Sequence, residues 1–174
     1  TFVSHYRDEI KTGNAYSIEA YARMPVWVAV EAFSFGSLSR LIEASSKSGV
    51  LHDMAASMNV SPATLPSQVR SFVYLRNRNA HCAKLWNHAV LDRPGLLSNI
   101  ARRAKRDHRQ FSDHSIYKIF VALDQVATKT GLQQDWLANR VEPILATNAL
   151  LAAGIATPAR YGEMQKQLLT VPDI

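Results

Sequence analysis

At 174 residues and 19.4 kDa, the chain has room for one domain, or one and a half, but not for two full ones. Hydrophobic residues make up 47% and charged residues 20%, which supplies a core and argues against a disordered chain, while seven Gly and seven Pro are few for the many turns of a β-sandwich. A single cysteine, Cys82, excludes a disulfide framework within one chain and a Cys-rich zinc site, and a net charge of +6 favours acidic partners, nucleic acid first.

No apolar run reaches the roughly 18 residues of a membrane span, so no membrane partner is expected. The lone cysteine fits the reducing cytoplasm. Residues 1–6 carry neither an initiator Met nor a signal-peptide pattern. The chain reads as the C-terminal part of a longer one.

In chain order, the spacing predicts a first amphipathic helix over residues 2–11, stopped by Gly13 and Asn14. A second starts at Pro25, a good first-turn residue, and runs to Ser46 with Gly36 inside. Trp27, Val30 and Leu38 on one side and Val28, Phe35 and Ile42 on another make it apolar around most of its girth, which predicts a central position. Its polar exception is Glu31. A short helix fits 50–58. After Pro62 and Pro66 a long helix is predicted from Ser67 to about Asp92, with Val69, Phe72, Val73, Ala80 and Ala83 as its stripe. Residues 92–115 read as a basic polar connecting segment containing Arg102, Arg103, Lys105, Arg106 and Arg109, a solvated face by default and RNA-contacting in the alternative. Helices follow over 116–129 and 132–151, the latter kinked or split by Pro143, and from Pro158 to Leu168. The prediction is a single all-α domain over 1–174, a bundle of five to seven helices.

The segment 74–87 is unusual, because nine of its residues hydrogen-bond or ionise in the middle of a core-type helix. Arg76 falls on the apolar stripe, a costly place for a guanidinium unless it is paired, with Glu31 for instance, or faces a cleft. Asn77 and His81 share a face, which Lys84 and His88 extend. Arg76 and His81 stand about 140° apart on an ideal helix, so either the helix bends or a second copy completes the site. An Arg followed five positions later by His is a weak signal. Chance predicts roughly 0.45 such pairs from this composition. Three occur, Arg76/His81, Arg103/His108 and Arg109/His114, and only the first sits in an apolar helical frame. Core packing is the plain role for Trp27, Trp86 and Cys82.

Residues 75–87 read L-R-N-x-x-A-H-x-x-x-L-W-N, and residues 25–39 read P-x-W-V-x-x-E-x-x-S-F-G-x-L-S. Together they resemble the abortive-infection (Abi-like, AbiD/AbiF-type) bacterial proteins. That family is similar to the HEPN superfamily of helical domains. The resemblance implies a HEPN-like bundle and a metal-independent endoribonuclease acting in phage defence, without a cofactor. It implies a homodimer whose cleft holds Arg76, Asn77 and His81 as catalytic residues. Glu31, Trp86 and Asn87 would support them, and Arg78 and Lys84 would join the basic run in holding RNA. An antitoxin-like partner stays open. Where relatives often carry a second His, this chain has Cys82. The residue types suit the chemistry: a histidine moves protons near neutral pH, an Arg fork steadies a phosphate, and the 2′-hydroxyl of RNA is the nucleophile. The alternative is a non-catalytic RNA-binding or protein-interaction module on the same frame.

Overall fold

The computed structural model describes residues 25–158. The helices expected over 2–11 and beyond Pro158, and the stop at Gly13, lie outside the described residues. Within them all regular structure is helical, as the sequence predicts. Eight α-helices follow in order: α1 (Val26–Ala32), α2 (Phe35–Ala44), α3 (Val50–Ser57), α4 (Leu65–Ala80), α5 (Ser98–Asp107), α6 (Ile116–Lys129), α7 (Glu142–Ala146) and α8 (Ala149–Ala156). A 3-10 turn, Ser45–Lys47, follows α2, and a π-helical segment, Leu137–Val141, precedes α7.

The described residues alone hold eight because two predicted helices are broken and α5 forms within the stretch read as connecting. The piece from Pro25 divides at Phe33, whose backbone is extended, and Ser34 caps α2 by accepting the Ser37 N–H at 3.1 Å. Nor is that piece central, since Trp27 is 67% exposed and Val30, Phe33 and Phe35 are exposed as well. Among the described side chains of α1 and α2 only Val28, Ser39 and Ile42 are buried. Further on, Pro143 has no N–H to offer a carbonyl four residues back, and the chain widens into the π segment just before it. Asp124 of α6 caps the start of that segment, its Oδ1 accepting the Leu137 N–H at 2.8 Å.

Helix α6 is the centre. Ser115 caps it, and Ile116, Tyr117, Ile119, Val121, Ala122 and Val126 are buried on more than one side. Around it Val90, Ala104, Phe111, Leu137, Val141, Leu145 and Ile155 complete the main core. A second, smaller core joins Ile42 of α2, Leu51 and Ala55 of α3 and Leu65 and Val69 of α4. Helix α4 belongs to both, packing on α2 along one side and on α6 along another. Its start is pinned where Gly95 approaches closely: the Gly95 N–H donates to Ser67 Oγ at 2.9 Å, and a Cβ on Gly95 would fall 2.9 Å from that oxygen.

The stretch 92–115 is not purely connecting, because α5 occupies its middle. Arg109, just past α5, is drawn inward. Its guanidinium makes a two-pronged ion pair with Glu142, with Nε to Oε1 at 2.9 Å and Nη2 to Oε2 at 2.6 Å, and the Tyr117 hydroxyl donates to the same carboxylate. Burial works to raise the Glu142 carboxyl, but the Arg109 and Tyr117 hydrogen bonds and the Arg109 charge hold it below its usual value.

Candidate functional site

Helix α4 stops at Ala80, well short of Asp92, and it stops by a defined device. Cys82 adopts a left-handed conformation with φ of 49°. The Cys82 N–H reaches Asn79 O at 3.0 Å and the Ala83 N–H reaches back to Arg78 O at 2.7 Å. This is a Schellman end with cysteine where glycine is usual. His81 is the C-cap residue, its N–H on Asn77 O at 3.1 Å. The helical face expected to continue from His81 to Lys84 and His88 therefore does not exist. Cys82, expected in the core, is exposed.

The segment after the turn anchors the helix end to α8. Trp86 Nε1 donates to Leu150 O at 3.1 Å, and the Asn87 N–H donates to Gly154 O at 2.9 Å. The indole lies so close to α8 that a Cβ on Gly154 would meet Nε1 at 2.3 Å. Trp86 is thus partly buried against the main core, as expected, whereas Trp27 is not. The L-W-N part of the motif is a clamp.

The three candidate catalytic residues sit on the free side of this end. Arg76 is exposed, against the expectation that it lies on the buried stripe; Asn77 and His81 are exposed too. Arg76 Nη1 donates to Asn77 Oδ1 at 3.2 Å. The partnership expected between Arg76 and Glu31 lies outside the description, since the side chain of Glu31 is not among those described. Arg78 turns inward. Its Nε donates to Lys84 O at 3.1 Å and its Nη2 to the same oxygen, and its guanidinium lies 5.8 Å from the centre of the Tyr74 ring. Tyr74 in turn stacks on His88 at 6.0 Å. Burial first, then the charges of Arg78 and Lys84, push the His88 imidazole below its usual value. The Lys84 ammonium stands over the Trp86 ring at 5.1 Å.

Asn77 and Arg78 also close one end of a groove between α2 and α4 of about 520 Å³. Helix α2 contributes Gly36, Ser39, Arg40 and Glu43, spaced three, one and three apart along one face. Arg70, Val73 and Tyr74 line the α4 side, and Asp92 comes from the loop beyond. Arg70 pairs with Glu43 at 3.1 Å. The polar stripes on α2 and α4 were readable as helical spacings. Neither stripe marks a groove on its own, because the groove exists only once α2 and α4 are packed side by side.

The basic run is split by the structure. Arg102, Arg103 and Arg106 are exposed on α5 beside a shallow recess they share with Asn99 and Ile100. Lys105 folds over the Phe111 ring at 5.0 Å, and Arg106 pairs with Asp107 at 2.7 Å. Arg109, committed to Glu142, is a structural cation. Among the described residues no group of three or more His, Cys, Asp or Glu is placed to hold a metal ion, and no helix is long and apolar enough to cross a membrane.

A family model described as Abi-like protein matches residues 1–87, half of the chain and both of its motifs. The chain belongs to the Abi-like protein family. The match ends at Asn87, the residue whose N–H closes the clamp on α8. No curated protein and no solved structure matches the chain. Membership of the Abi-like family points to abortive infection, that is, to phage defence.

Proposed function

We propose that this Abi-like chain is an endoribonuclease that works without a metal ion, using Arg76, Asn77 and His81. The observation that carries the reading is that a guanidinium and an imidazole are exposed together at a helix end held rigid from behind by the Cys82 turn and the Trp86 clamp. Arg76 is pre-oriented by Asn77 Oδ1, which leaves its other N–H groups to hold the non-bridging oxygens of a phosphate. In the reaction the 2′-oxygen of RNA bonds to the adjacent phosphorus and the bond to the 5′-oxygen breaks. The products are a 2′,3′-cyclic phosphate and a 5′-hydroxyl. His81 takes the 2′ proton or supplies the one the leaving oxygen needs, and water exchanges the other.

Purified protein incubated with mixed RNA in EDTA tests this. Cleavage should persist, leave cyclic phosphate ends, and fail at 2′-O-methyl sugars. His81→Ala and Arg76→Ala should each slow it roughly a hundredfold or more, and Asn77→Ala should slow it less. Because Arg76 and His81 are exposed, these variants should melt like the wild type. A folded His81→Ala that cleaves normally, or cleavage that stops in EDTA and returns with magnesium, overturns the mechanism. The exposed arginines of α5 favour the second reading, an RNA-binding module without catalysis, which predicts affinity for RNA with no cyclic phosphate product.

A further inference from the structure

The groove between α2 and α4 is not needed for the three-residue mechanism, yet it touches it: Asn77 lines the groove and holds Arg76. We propose that this groove seats one nucleotide of the RNA strand, the neighbour of the phosphate at Arg76 and His81; the proposal rests on the ribonuclease reading. Three features carry it. No side chain among the described residues pairs with Arg40, although it lines the groove. Asn77 has given its oxygen to Arg76, so its amide N–H groups remain to donate. Arg78 lines the groove beside Asn77, its guanidinium held in place by Lys84 O through Nε and Nη2.

The carboxylates decide what kind of anion fits. Glu43 and Asp92 stand in the same groove as the arginines and would repel a bare phosphate. A nucleotide carries both kinds of group: a phosphate for the guanidinium donors, and ribose hydroxyls or base N–H groups for the carboxylates. The volume of about 520 Å³ lies within the usual span of small-molecule sites.

The test is titration calorimetry of the full chain with 5′-phosphorylated adenylyl-adenosine bearing a 2′-O-methyl group at the linkage, which cannot be cut, beside inorganic phosphate. The dinucleotide should bind. Arg40→Ala should weaken it about tenfold, the scale of one charge-assisted hydrogen bond, and Arg140→Ala, on the exposed side of the π-helical segment and outside the groove, should not change it. Inorganic phosphate should bind at least about tenfold more weakly. Arg40 is exposed, so its variant should keep the wild-type melt. Equal affinity in Arg40→Ala, equal affinity for inorganic phosphate, or no dinucleotide binding at about 1 mM overturns the proposal. The two readings fail separately. Arg40-dependent binding without RNA cleavage sinks the nuclease and keeps the groove; His81-dependent cleavage with Arg40→Ala binding as wild type does the reverse.

Discussion

Two single residues set the frame of the motif, and both can be tested by melting. Cys82 takes a backbone conformation that costs an L-residue about 1–2 kcal/mol, less whatever extra entropy a glycine would lose. Cys82→Gly should therefore stabilise the protein by about 0.5–1 kcal/mol, and Cys82→Val, branched at Cβ, should do the opposite. Gly154 has the reverse constraint. A methyl group there would collide with the Trp86 ring, which cannot retreat without losing its bond to Leu150 O, so Gly154→Ala should cost about 1–3 kcal/mol. Thermal melts of the three variants check both statements. A Gly154→Ala protein as stable as wild type would mean that the clamp is looser than its geometry.

At the scale of elements, legibility followed how local the signal was. Helix α6 was readable because its amphipathic pattern and the Gly131 just past its end are close together in sequence. The end of α4 was not, because the stop is a left-handed cysteine, and cysteine carries no such signal. The same miss placed Arg76 on a buried stripe: Ala80 and Ala83, which extended that stripe, are exposed and half-buried, so the apolar frame ends one turn earlier. The candidate site residues came from the motif alone, whereas the groove needed α2 and α4 brought together. Helix α5 and the arginine after it give a test of the split in the basic run. If Arg102, Arg103 and Arg106 hold RNA backbone, replacing all three by Gln should flatten the dependence of log affinity on log salt by about 2, at roughly 0.7 per lost contact to a single strand. Arg109→Gln should leave the slope alone and lower stability instead. The sign follows from Glu142, whose carboxyl is held below its usual value in the fold. The stabilisation is present above the unfolded carboxyl range, about pH 4.3, and is lost as pH falls through the lower folded value. The gap in Tm between wild type and Arg109→Gln should thus be full at pH 7 and close in acid. A slope that changes with Arg109 and not with the α5 arginines would reverse the assignment.

At the scale of the whole molecule, the open matter is how many chains make one site. The sequence offered a bent helix or a second copy as ways to bring Arg76 and His81 together. Helix α4 ends at Ala80 rather than bending, and among the described residues the Arg76 and His81 side chains are both exposed. A two-fold dimer that faces one motif to another would place Arg76 of each protomer near the partner's His81 and bury both from water. That arrangement makes a prediction that separates it from two self-sufficient sites. Arg76→Ala and His81→Ala protein, each inactive alone, are mixed and allowed to exchange subunits. In a mixed dimer built across the interface, one site collects both substitutions and the other collects neither. Random exchange leaves half of the dimers mixed, with one good site of two, so about a quarter of wild-type activity should return. If Arg76 and His81 act from the same protomer, every site keeps one substitution and nothing returns. Light scattering at micromolar concentration supplies the companion measurement: a monomer there, with cleavage intact, would mean that a single helix end does the chemistry alone.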